Sequence, residues 1–343
     1  MIYLQSFTDK EMTELGGIKK EQLTPKTYYK FSSFEYKTDG KERVLSGIEH
    51  LDYLTSGFEM GCITIWTGQT NAGKTTVMTM LIKQTIMQGE KVFFFNGEQT
   101  KDDFKNNLYK QTVEAKYIKP KQYKESCVFD FYVDDYRQIE RLNRIYGENL
   151  YIFNNEMQRD INFMLNAMDE VRARDNVRVF ILDNFMQIDT TTSDEYREQK
   201  QIMERLRTFA VNKNVHIHLV AHPRKMDRDN TRITIYDVLG SSNLLNKAYN
   251  VISIIRVDNL EKDGTEYKRL SRKMLEERMD INETSSILEV LKTKGLRCGL
   301  VGLQYLNTQK TFVEQSRLGD VMYERLKTNN KPKGNVDFEN LPF

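Results

Sequence analysis

The sequence predicts an α/β protein: a mostly parallel sheet flanked by helices on both faces. Three observations carry that prediction. Short apolar runs alternate with helix-like segments along most of the chain. One of these runs opens directly into a Gly-x-x-x-x-Gly-Lys-Thr stretch. Another ends abruptly in a carboxylate. Strands that alternate with helices must cross over to pair in parallel, and their crossovers then cover the sheet.

The elements follow in order. The polar segment 1–44 reads as an extended N-terminal arm with one short helix. "LSGIEHLDYLTSGFEMG" leads into the core. "CITIW" is a buried strand, and "TTVMTMLIKQTIMQ" is the helix after it. "KVFFFNGE" precedes the helical "TKDDFKNNLYKQTVEAKY". "LYIFNN" precedes "RDINFMLNAMDEVRARD", and "VRVFILD" precedes "DEYREQKQIMERLRTFAVNKN". "VHIHLVAH" and "VISIIRV" are the last clear runs. "VFDFYV" is open between another strand and an insertion. Residues 328–343 read as a flexible acidic-apolar tail, which leaves 45–327 as the main domain.

Bulk numbers limit the function classes. Across 343 residues, 51 Lys and Arg face 49 Asp and Glu, a net charge of +2. That balance carries no global nucleic-acid signature, so any such contact needs a local basic patch. Cys62, Cys127 and Cys298 lie far apart and read as reduced thiols. The chain shows neither an apolar run of membrane-spanning length nor a signal-peptide pattern. With the reduced thiols, these features lead to the expectation of a cytoplasmic protein with no membrane partner.

The first chemical motif is "TGQTNAGKTT", residues 67–76. Gly68 and Gly73 permit backbone conformations that turn successive N–H groups of Gln69, Thr70, Asn71 and Ala72 around an anion. Lys74 supplies charge for β- and γ-phosphates, the Thr75 hydroxyl suits Mg²⁺, and Thr76 continues the helix whose positive end faces the phosphates. Strand before and helix after make this a nucleoside triphosphate site.

Three strand ends complete a mechanism. Asp183 closes "VRVFILD", where ligands of parallel sheets gather, and is placed to orient the Mg²⁺ shell. Glu98 closes "KVFFFNGE" and can polarise an attacking water. His222 closes "VHIHLVAH" and can bond the γ-phosphate and report its loss, whereas His216 and His218 alternate within that strand and read as packing residues. After His222, "PRKMDRDNTR" carries Arg224, Lys225, Arg228 and Arg232, a basic loop suited to a nucleic-acid backbone.

Together "TSGFEMGCITIWTGQTNAGKTT", "FNGEQT", "FILDNFMQI", "LVAHPRK" and "VLGSSNLLNKAYNVISI" resemble the RecA-like motor domain of DnaB-type hexameric replicative helicases. The similarity is greatest to the Twinkle branch and its bacteriophage relatives, through Asp183-Asn184 and the His-Pro-Arg-Lys of 222–225. It covers roughly residues 45–315. The resemblance implies a RecA-like P-loop ATPase core, ATP or another NTP or dNTP with Mg²⁺, and a hexameric ring on single-stranded and forked DNA. It implies that Glu98 is the catalytic glutamate, Asp183 the metal-orienting aspartate and His222 the γ-phosphate switch. Leu239, Gly240, Ser241, Ser242 and Asn243 resemble the channel loop that contacts DNA phosphates.

"KGLRCGLVG" resembles the family's Arg-x-Gly-x-x-Gly pattern, which implies an arginine finger at Arg297 for the neighbouring subunit's site. The family usually carries a lysine two residues earlier. Here Gly295 stands there, with Lys294 beside it as a second nucleotide contact. Fewer than about fifty residues precede the motor, without zinc or acidic metal clusters, so priming is expected to be absent. The ending "NVDFENLPF" resembles the tail peptide of single-stranded DNA-binding proteins and suits docking on a replisome protein such as a primase, polymerase or loader. Two further readings share the core: a RecA- or RadA-type recombinase forming filaments on single strands, and a non-motor ATP-binding regulator.

Overall fold

The computed structural model describes residues 40–122, 128–189, 195–223, 233–238, 247–262 and 264–315. The chain divides into a unit Met1–Gly40, almost wholly outside these residues, and a unit Lys41–Phe343. The arm expected over 1–44 and the tail over 328–343 thus fall outside the description, apart from residues 40–44.

The described chain opens with β1 (Arg43–Val44), α1 (Glu49–Thr55) and β2 (Phe58–Glu59), the two short strands pairing antiparallel. The alternation then unfolds as β3 (Ile63–Gly68), α2 (Lys74–Met87), β4 (Val92–Asn96) and α3 (Lys101–Thr112). An excursion follows, β5 (Ile118–Gln122), β6 (Val128–Val133) and α4 (Tyr136–Gly147), before β7 (Leu150–Ile152). Next come α5 (Ile161–Asp175), β8 (Val179–Asp183), α6 (Glu195–Lys213), β9 (His216–Val220) and β10 (Asn250–Arg256). The last elements are α7 (Thr265–Glu276), β11 (Ser286–Lys292), β12 (Leu300–Leu306) and β13 (Thr311–Glu314).

Local chemistry explains the helix boundaries. The Thr100 hydroxyl accepts from Asp103 N at 3.1 Å to start α3, and Asp135 accepts from Gln138 N at 2.9 Å to start α4. Asp160 accepts from the N–H groups of Asn162 and Phe163 at 2.8 and 3.2 Å to start α5, which Asn176 ends at φ 57°.

The main sheet has nine strands in the order β13-β12-β11-β10-β3-β9-β8-β4-β7. From β10 to β7 every pairing is parallel, and from β10 to β13 every pairing is antiparallel. The RecA-like P-loop core with helices on both faces is therefore present. Successive residues face opposite cores: Phe94, Val179 and Ile181 pack with α2, whereas Phe93, Phe95, Phe180 and Leu182 pack with α5 and α6. Burying each such phenylalanine contributes on the order of 2–3 kcal/mol.

Two features differ from the simplest reading of the sequence. "VFDFYV" forms β6, which pairs only with β5, in a separate two-stranded sheet. Pro120 lies in β5 and donates no N–H, which suits a short edge strand. Buried Lys110 anchors this sheet to α3 through Asp130 at 3.0 Å. The second feature is the antiparallel flank: β11–β12 and β12–β13 are joined by short turns, so no helical crossover separates them to mark them in the sequence.

Candidate active site

β3 ends at Gly68, where nothing larger fits: a Cβ there would lie 2.5 Å from Ile254 O on β10. The loop that follows closes at Gly73, whose φ of 95° is left-handed. No side chain caps α2, so the first-turn N–H groups of a 14-residue helix are available to an anion. Ala72 is buried, while Thr70 and Asn71 are exposed on the loop's outside. Lys74 folds back over the loop, donating to Gly68 O at 2.9 Å and Gln69 O at 2.8 Å. Burial pushes its ammonium below the usual lysine range, and Asp183 and Glu98 partly counter this. Thr76 is fastened from outside, its carbonyl accepting from Gln111 Nε2 at 3.4 Å.

The parallel register brings the distant carboxylates to this loop. Thr75 donates its hydroxyl to Asp183 Oδ2 at 2.8 Å, across 108 residues of sequence. Asp183 is almost completely buried, and that burial, reinforced by Glu98, pushes its carboxyl up to about 6 against the opposing Thr75 bond and Lys74 charge. β4 and β8 pair Asn96 with Asp183, and Gly97 N donates to Asp183 O at 2.6 Å. Asn96 then turns the chain, its Oδ1 accepting from Glu98 N at 3.4 Å and Gln99 N at 3.0 Å. Glu98 is thereby presented at the mouth, where its Oε1 lies 3.2 Å from His222 Nε2.

Asn184 joins the two. Its Nδ2 donates to Glu98 Oε1 and lies 3.1 Å from His222 Nε2. Neither Asn184 nor Asn96 stood among the expected site residues. Asn184 directly follows Asp183 and belongs to the Asp-Asn pair of the resemblance, and Asn96 stands two residues before Glu98, but neither position carried an assigned role.

Other expected residues lie elsewhere. His216 and His218 are fully buried in β9, His216 held by Glu59 O at 2.7 Å and Thr64 Oγ1 at 3.1 Å, His218 by Trp66 Nε1 at 3.2 Å. Arg224, Lys225, Arg228, Arg232, Leu239, Gly240, Ser241, Ser242 and Asn243 lie outside the described residues. Lys294 and Arg297 sit on the β11–β12 connection, at the antiparallel end of the sheet. Lys294 is exposed. Arg297 forms a two-pronged pair with Glu277 at 2.6 and 2.8 Å and lies over the Tyr53 ring. The N–H groups of Leu296 and Arg297 both donate to Leu54 O, at 2.9 and 3.1 Å. This docking explains Gly295: a Cβ there would lie 2.1 Å from Thr55 O, so a lysine is sterically excluded.

The profile of the DnaB-like helicase C terminal domain matches residues 43–314. This chain belongs to the DnaB-like helicase C-terminal domain family. Solved structures agree on the fold. A DnaB-like replicative helicase, solved in a study of its interactions with primase, superposes with a TM-score of 0.61 at 16% identity, covering 82% of this chain. The chain spans 65% of that helicase's length. The ATPase domain of G40P gives a TM-score of 0.59 at 17% identity, over 79% of this chain and 90% of that one. A KaiC-like protein from Pyrococcus horikoshii OT3 gives 0.52 at 16% identity, over 80% of this chain and 99% of its own. In this DnaB-like domain, no described helix is long and apolar enough to cross a membrane.

Proposed function

We propose that this protein is an ATP-dependent replicative DNA helicase. It acts as a hexameric ring that translocates on single-stranded DNA and unwinds duplex DNA, hydrolysing NTP at subunit interfaces. The observation that carries this reading is the convergence of Lys74, Thr75, Glu98, Asp183 and His222 at the carboxyl ends of β3, β4, β8 and β9 in a DnaB-like domain.

The donor set fits a magnesium nucleotide. The uncapped N-terminus of α2 and the Lys74 ammonium suit phosphates, and Thr75 with Asp183 offers two hard oxygen donors. Among the described residues no group of three His, Cys, Asp or Glu side chains is placed to hold a metal, consistent with an ion that is completed by phosphates and water. The bound nucleotide supplies the phosphoanhydride bond, with Mg²⁺ offsetting its negative charge. Lys74 turns from the two loop carbonyls toward the β- and γ-phosphates. Glu98 orients the attacking water and accepts its proton. His222 bonds the γ-phosphate oxygen and passes its loss to the basic loop 224–232. Arg297, with Lys294, reaches the site of the adjacent protomer, which requires a ring or a filament. DNA is gripped by Arg224, Lys225, Arg228 and Arg232 and by the backbone of 239–243.

The test is unwinding of a forked DNA duplex with ATP, with Lys74→Ala as the matched control. Unwinding by the wild type alone supports the reading. Hydrolysis stimulated by single-stranded DNA without unwinding, on helical filaments rather than closed rings, would favour a recombinase. Slow hydrolysis indifferent to DNA would favour a non-motor regulator.

A further inference from the structure

Asn184 is almost fully buried, and the direction of its amide is determined rather than arbitrary. Its Oδ1 accepts from the Met186 N–H at 2.9 Å, a donor that cannot face an amide nitrogen. The Nδ2 group must therefore point the other way, toward Glu98 Oε1 and toward His222 Nε2 at 3.1 Å. One amide hydrogen meets the Glu98 carboxylate and the other is directed at the His222 ring. With an amide hydrogen aimed at it, His222 Nε2 is placed to accept, which corresponds to the Nδ1–H ring; an Nε2–H ring would instead donate to Glu98 Oε1 at 3.2 Å. In the Nδ1–H form the 3.2 Å approach of His222 Nε2 to Glu98 Oε1 is held by the amide that both groups share.

We propose that Asn184 is a positioning residue that binds Glu98 and His222 into one unit and sets the His222 tautomer. The inference rests on the helicase reading for the roles of Glu98 and His222, while the tautomer is inferred from the direction of the Asn184 amide in this chain. The arrangement joins β4, β8 and β9: Glu98 follows β4, Asn184 follows β8 and His222 lies two residues past β9. Movement of His222 on loss of a γ-phosphate then pulls on Asn184 and, through it, on the carboxylate that orients water. Neither Glu98 nor His222 can shift without breaking a bond to the same amide.

Two measurements test this. The first is ¹⁵N NMR of the imidazole rings, in which the signals of His222 among the chain's four histidines are assigned by their loss in His222→Gln. The expected result is the Nδ1–H form in the wild type, with a shift toward Nε2–H in Asn184→Ala. An Nε2–H signal in the wild type overturns the proposal whether or not the protein hydrolyses ATP. The second is a double-mutant cycle on DNA-stimulated ATP hydrolysis with Asn184→Ala, His222→Ala and both. Asn184→Ala should lower kcat about tenfold or more, leaving the KM for ATP within about twofold. Adding it to His222→Ala should cost less than about twofold. Multiplicative losses, or wild-type kcat in Asn184→Ala, overturn the proposal. Asn184→Asp has the same shape but replaces the donor with an acceptor, and it should lose kcat at least as strongly. It serves if the alanine variant fails to fold, and wild-type kcat in it also overturns the proposal. Should Lys74→Ala hydrolyse as fast as the wild type, the helicase reading fails instead, a result the NMR measurement does not share.

Discussion

The two halves of the main sheet use their strand ends differently. In the parallel half, β3, β4, β8 and β9 all finish at one edge, and Lys74, Glu98, Asp183 and His222 meet there. In the antiparallel half, strand ends alternate between edges, so nothing converges. The side chains with chemical roles proposed there are Lys294 and Arg297 on the β11–β12 connection, Arg297 held against α1 and paired with Glu277. Parallel strands assemble a centre within one chain. A hairpin connection is instead suited to present groups outward, toward the second protomer proposed above.

Substitutions can break this contrast, and the largest effect belongs to the antiparallel half. Arg297→Ala should reduce hydrolysis by the assembled protein about 10³-fold or more, while an isolated protomer binds nucleotide as before. An unchanged rate would remove the reason for the outward-facing group. In the parallel half, Glu98→Gln should lower kcat by about 10²–10⁴-fold with nucleotide affinity retained, read by single-turnover hydrolysis and equilibrium binding.

A smaller effect sharpens the account of the Arg297 platform. Gly295→Ala places a Cβ 2.1 Å from Thr55 O. It should cost about 1–3 kcal/mol in denaturant unfolding and leave nucleotide binding in the parallel half intact. Loss of binding instead would mean that the two halves are not independent.

The smallest effect is a pH dependence confined to the parallel half. Burial pushes the Asp183 carboxyl up to about 6 from an ordinary 3.8. Folding favours its protonated form, so this group's contribution to stability is greatest at low pH and is lost as pH rises through about 6. A metal ion needs the carboxylate. Affinity for magnesium nucleotide should therefore fall as pH drops below about 6, approaching tenfold per unit, while magnesium-free nucleotide binding changes less. Calorimetric titrations with and without magnesium on both sides of that pH would show it. Equal slopes for the two would dissociate Asp183 from the metal.

Much of this site was legible from residue order alone. Gly68, Gly73, Lys74 and Thr75 lie within eight residues that span the end of β3, the loop and the start of α2, a turn whose geometry depends on local backbone freedom. Asp183, Glu98 and His222 each end an apolar run, and a parallel sheet necessarily delivers such residues to one edge. The packing roles of His216 and His218 followed from their alternation within β9, because period-two residues face the sheet's covered sides.

Tertiary structure decided the remainder. That Asn184 spans Glu98 and His222 depends on β8 lying between β4 and β9, an order the chain does not spell out. That Gly295 replaces a lysine depends on a backbone contact with Thr55, 240 residues away in numbering but touching in space. The antiparallel flank and the separate β5–β6 sheet were also settled only in three dimensions. Local backbone and periodicity are properties of neighbouring residues, so sequence by itself determined the α/β class, the phosphate-type loop and the strand-end carboxylates. Partners in hydrogen bonds and close backbone contacts depend on which distant segments pack together, and only the folded chain determines that.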